Sequence, residues 1–248
     1  MVDPSMAVSA QGGSDFRIGD VFSKAFEIFG RNFLAFVVLA LLSNILTFLY
    51  LFGLVQGIVS GSQQTTALVA GLLGLLGSLI ATGAIIYGVL QKLRNQDFSV
   101  GQSLEIGVRF MLPILAVSIL VGLAMILGLI LLIVPGLILI CMYYVAVPVC
   151  VAERPGIVAS LSRSAFLTKG YRWRVFGILV VVAIANSLVQ YLAGLILAGV
   201  GLYALVFGPL VLTSIVSAFG AVLNGVMYYQ LRVAKEGVDI ETIARVFD

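Results

Sequence analysis

Residues 110–152 read FMLPILAVSILVGLAMILGLILLIVPGLILICMYYVAVPVCVA, a run without one charged side chain, bounded by Arg109 and Glu153. About 20 apolar residues in a helix cross a bilayer's hydrocarbon core. The run is about twice that long and is interrupted by Val134-Pro135-Gly136, so it reads as two spans joined by a tight turn. Two more uncharged runs, between Arg31 and Lys92 and between Arg174 and Arg232, are long enough for a hairpin each. A chain of 248 residues that is 61% hydrophobic and 10% charged is too apolar for a soluble domain. The expected fold class is all-α: a polytopic helical membrane protein of six transmembrane helices in three hairpins. The spans fall near 33–59, 67–91, 111–134, 136–151, 175–199 and 202–230. The fourth is short and contains Pro148, so a re-entrant or strongly tilted segment is its alternative. Around this membrane domain, 16–235, stand a disordered N-terminal tail, 1–15, and a cytoplasmic tail, 236–248.

Basic residues orient such a chain, because short loops rich in Lys and Arg stay in the cytoplasm. All 14 fall in segments on one side of the six spans, and the opposite turns carry no charge. Both termini are therefore expected to be cytoplasmic. Residues 1–15 have no basic start, which argues against a cleaved export signal.

The charged segments are themselves patterned. At 100° per residue, Ile18, Val21, Phe22, Ala25, Phe26, Ile28 and Phe29 share one arc opposite Asp20, Ser23, Lys24 and Glu27, with Ser14 or Asp15 as N-cap. Val100, Leu104, Gly107, Val108 and Met111 likewise oppose Gln102, Glu105 and Arg109. In a third segment Val158, Leu161, Ala165 and Phe166 oppose Ser160, Arg163 and Ser164, with Leu167 on the polar side. Each hairpin is thus expected to follow an amphipathic helix lying in the headgroup region, apolar face down. Val21, Ala25, Phe26, Gly30 and Phe33 align in register with Leu161, Ala165, Phe166, Gly170 and Trp173, the signature expected of an internal repeat.

Catalytic chemistry finds little support. There is no histidine, the cytoplasmic carboxylates Asp97, Glu105 and Glu153 are scattered, and Ser162, Ser164 and Thr168 have no recognisable activating partner. Neither an enzyme nor a bound metal or cofactor is expected. Cys141 and Cys150 read as small buried apolar residues. Asn44, Gln56, Asn186, Gln190 and Asn224 lie inside spans, where uncharged polar side chains either bond neighbouring helices or line a solute path. The second option makes a small-solute or lipid transporter the alternative function.

Binding chemistry is concentrated in 151–177, VAERPGIVASLSRSAFLTKGYRWRVFG. Arg163, Lys169, Arg172 and Arg174, with Arg154 nearby, predict a strip for anionic headgroups, and Tyr171 and Trp173 set its depth. Lys24, Arg31 and Arg109 form a secondary interface. The expected partner is the bilayer, anionic lipid in particular, and a membrane-protein partner is a further option. Nucleic acid is not expected, since it would have to compete with anionic lipid for the same cations.

The run IGDVFSKAFEIFGRNFLAFVVLALL at 18–42, and the stretch from Val134 through Pro135-Gly136, Pro148, Glu153, Ser162-Arg163-Ser164 and Lys169 to Gly177, resemble the bacterial membrane domain of glycerophosphoryl diester phosphodiesterases. The resemblance extends over about 16–235, and its specific part is 134–178. It implies a multi-pass protein of the bacterial cytoplasmic membrane that lacks the family's catalytic barrel and its His and acidic metal ligands. The expectation is a non-catalytic module that binds anionic lipid or organises a partner protein.

Overall fold

The structure, a computed structural model, describes residues 16–197 and 199–237. The N-terminal tail, the cap expected at Ser14 or Asp15, and the tail from 238 onward, with Arg245, lie outside the described residues. Within those described, ten helices follow in order: α1 Ile18–Arg31, α2 Phe33–Ser43, α3 Ile45–Val55, α4 Gln63–Leu93, α5 Val100–Leu131, α6 Ile133–Tyr143, α7 Ala146–Ala152, α8 Ile157–Thr168, α9 Arg172–Leu197 and α10 Leu202–Glu236. Among the described residues there is no strand, and the chain is an all-α polytopic helical protein. Five helical segments are long and apolar enough to cross a bilayer: α4, α5, α6 with α7, α9 and α10. A sixth arises only if α1 and α2, bent by 81°, count as one broken span.

The first hairpin differs from the expected single span at 33–59. Its first half is divided at Asn44, whose Nδ2 donates to the Ala40 carbonyl at 2.9 Å while its backbone N–H bonds Leu41. A side chain that bonds the preceding turn competes with the helical ladder, and such residues bend or end helices. Gly77 of α4 faces the break, where an added Cβ would stand 2.6 Å from the Ser43 carbonyl oxygen. The fourth span is interrupted too, at Tyr144-Val145, and Pro148 sits in the first turn of α7, where a missing N–H costs nothing. The tight turn comes earlier than expected, as a single extended residue, Leu132, leaving Pro135 in the first turn of α6. Gly128 and Gly136 meet across this hairpin at a separation that leaves no room for a side chain at either.

The middle amphipathic helix is not a separate element. Val100–Leu131 is continuous through Pro113, about 48 Å long at 1.5 Å per residue. In its first turns Ser103, Gly107 and Phe110 are buried, Gly107 against α4, while Val108, on the arc expected to face the bilayer, is 57% exposed. Gly107 lies directly on the Ile80 carbonyl, so two backbones touch. Between helices in lipid such close approach replaces the hydrophobic driving force that water would supply. The core is centred on α4 and α10, with Ile85, Ile86 and Val89 against Val222, Leu223, Val226 and Met227, and α2 adds Phe36 and Leu39.

Candidate functional site

Helix α8 organises the end of the molecule that carries most of the charged side chains of 151–177. Its buried side chains are Ser160, Ser164, Leu167 and Thr168, while Val158 and Phe166 are exposed. The apolar arc thus stays on the outer surface, Leu167 is buried with the hydroxyls, and that hydroxyl face is turned to the break between α6 and α7. The Met142 carbonyl has no helical successor there, and it accepts from Ser164 Oγ at 2.8 Å and Thr168 Oγ1 at 3.2 Å. An unpaired carbonyl in a buried site costs about 1–3 kcal/mol, so the hydroxyl face turns inward.

The five basic residues expected to act as one strip are divided among four tasks. Arg163 donates from Nε to Glu153 at 2.8 Å and pairs through Nη2 with Glu236 at 2.6 Å. Arg232 closes the ring, with Nε 3.1 Å from Glu236 and Nη1 3.9 Å from the Glu153 carboxylate, which also accepts from Tyr228 Oη at 2.8 Å. Burial works to lower the Arg163 pKa, but its bonds to both carboxylates hold it above its ordinary value. Arg174 donates to the Phe16 carbonyl and lies over the Tyr171 ring, which itself packs on Phe16 at 5.5 Å. Arg154 stands over the Phe110 ring at 5.1 Å.

Lys169 and Arg172 remain together. They rim a groove of about 480 Å³ whose walls are Val134, Leu137, Ile138 and Cys141 of α6 with Trp173 and Phe176 of α9. Trp173 is 85% exposed and meets Phe176 edge to face at 6.1 Å. Arg172 is held at the mouth by an Nη2 contact to the Met142 sulfur at 3.5 Å, and its buried Nε has no hydrogen-bond partner. The α8–α9 corner turns at Gly170, whose φ of 92° favours glycine. The site is therefore an apolar trough with two cations at one end.

Lys24 and Arg31 both pair with Glu27, at 3.0 and 3.4 Å, beside the Lys92–Asp97 pair at 2.6 Å, in a separate polar basin. Arg109 lies exposed on α5. Cys141 and Cys150 are buried free thiols.

The intramembrane polar residues also disperse. Gln56 caps α3 in an exposed position, Asn186 is exposed on α9, and the Asn224 Oδ1 is buried without a partner. Gln190 bonds across helices, its Nε2 donating to Thr213 Oγ1 at 3.2 Å. Asn44 opens into a cavity of about 340 Å³ between α2, α4 and α10, together with Ser78, Thr82, Thr213, Ser214 and Ser217. The reading of 151–177 missed the ion-pair ring, because Glu236 and Arg232 reach it from the far end of the chain. No family model, curated protein or solved structure matches the chain.

Proposed function

We propose that this protein is a non-catalytic membrane module of the bacterial cytoplasmic membrane, kin to the membrane domain its 134–178 segment resembles, and that it holds an anionic phospholipid in the groove between α6 and α9. The observation that carries the reading is the meeting of Lys169, Arg172 and Trp173 at one end of an apolar trough. A phosphate is the ligand that uses both cations. An acyl chain suits the walls of Val134, Leu137, Ile138 and Phe176, and Trp173 belongs at headgroup depth. Arg163 takes no part in this version of the site, since two carboxylates already occupy it.

Each cation near an anionic surface contributes about 1 kcal/mol, so Lys169→Gln with Arg172→Gln lowers affinity roughly 30-fold. Native mass spectrometry of the purified protein measures retention of phosphatidylglycerol against phosphatidylcholine. Selective loss of phosphatidylglycerol in the double variant supports the groove. Equal retention by both forms, with the fold intact, removes it.

A further inference from the structure

The cavity between α2, α4 and α10 is chemically unlike the groove and shares no residue with it. Ser78 lies about 22 Å of helix from Gln63 at one end of α4 and about 21 Å from Lys92 near the other, which places it inside the apolar slab. Polar side chains at that depth commonly join helices, but most of these do not. Ser78 Oγ donates to Leu75, Thr82 Oγ1 to Ser78 and Ser214 Oγ to Leu210, each a carbonyl of its own helix, and Asn44 Nδ2 donates to Ala40 in the helix it caps. The hydroxyl protons of Ser78, Thr82 and Ser214 are thus committed backward, and those three present acceptor oxygen to the cavity, while Asn44 keeps a second amide N–H. A hydroxyl bonded in this way still has lone pairs open to a donor.

Three facts restrict that donor. Among the described residues no charged side chain lines the cavity, so an ion would enter without compensation. The acceptors sit on α4, on α10 and at the α2–α3 break, so a ligand with one donor serves only one wall. The volume of about 340 Å³ exceeds by roughly tenfold the share of one water in the liquid, about 30 Å³. The remaining lining, which includes Ala40, Ala81, Ile85, Leu210 and Ala221, is apolar, the usual setting for a few orienting polar groups. From this juxtaposition we infer a binding site within the membrane for a small neutral polyhydroxylated solute, which bridges the hydroxyls of α4 and α10.

The test uses the full chain in liposomes, with Cys141→Ala and Cys150→Ala as background, and xylitol as the probe. Ser217→Cys is alkylated with iodoacetamide, a small neutral polar reagent, and Ser162→Cys serves as the cytoplasmic control. Xylitol at twice its Kd slows alkylation at Ser217→Cys about threefold, leaves Ser162→Cys unchanged, and loses its effect when Thr82→Val is added. Alkylation that xylitol does not slow means the cavity holds water only, and the inference fails. It fails equally if the cysteine is inert. Ser78→Cys reports on the same cavity should Ser217→Cys not fold.

Discussion

Helices α1 and α8 carry the same kind of amphipathic pattern and bury opposite faces. In α1 the apolar arc goes inward: Val21, Ala25, Ile28 and Phe29 are buried, and Phe26 and Phe29 pack on Phe219 of α10 at 4.7 and 5.5 Å. In α8 the hydroxyl face goes inward and Val158 and Phe166 stay outside. The neighbours explain the difference. α1 meets an intact helix, whose backbone is already satisfied, so only side-chain packing is on offer. α8 meets the broken junction of α6 and α7, which offers the Met142 carbonyl. The apolar arc is a property of one helix alone and cannot say which face its partner needs.

One test of this contrast is all-or-none. If both helices lie on the cytoplasmic side, cysteines at the exposed positions Ser23 and Ser162 are silent to an impermeant thiol reagent applied to intact cells, whereas Ser62→Cys is labelled. Labelling of Ser162→Cys from outside would overturn the orientation of α8.

Next in size is the ion-pair ring, which α8 shares with α10 and α1 does not join. Arg163 and Glu153 are 24% and 18% exposed, so Glu153→Gln leaves Arg163 and Arg232 short of a counter-charge and costs about 3 kcal/mol of unfolding free energy in detergent. Glu27→Gln on α1, where the carboxylate is 45% exposed, produces a far smaller loss. Comparable losses at the two sites would mean that the ring is no more than a surface feature.

A matched pair of isosteric swaps then probes the faces themselves. Thr168→Val removes the hydroxyl that donates at the Met142 carbonyl, and Val21→Thr buries a hydroxyl against apolar neighbours. Each is expected to destabilise by about 1–2 kcal/mol, measured by thermal unfolding, because each face suits its own neighbour. A stabilising Thr168→Val would show that the inward hydroxyl face is tolerated rather than required.

Least is expected of Lys92–Asp97. The hydrogen bond and charge of Lys92 hold the Asp97 pKa below its ordinary value, so the pair contributes above the usual carboxylate range and is lost as pH falls through the lowered pKa. Asp97 is fully exposed, and Asp97→Asn should leave the melting temperature at neutral pH unchanged within error.

Charge spacing and apolar length alone establish that this chain is an all-α, multi-pass membrane protein, because a span must satisfy its backbone internally and exclude charge over a fixed thickness. They also place Lys169, Arg172 and Trp173 in one segment, and those three share the groove. Packing settles the rest. Asn44 divides the first span because its amide bonds the preceding turn and Gly77 leaves room beside it, and neither effect is visible in hydropathy. Arg163 leaves the basic strip because Glu236, far along the chain, reaches it. Ser164 and Thr168 turn inward because a carbonyl on another helix has lost its own donor. Composition sets where a chain may sit, but unsatisfied hydrogen bonds and paired charges choose among the arrangements it allows, and those depend on which groups the fold brings together.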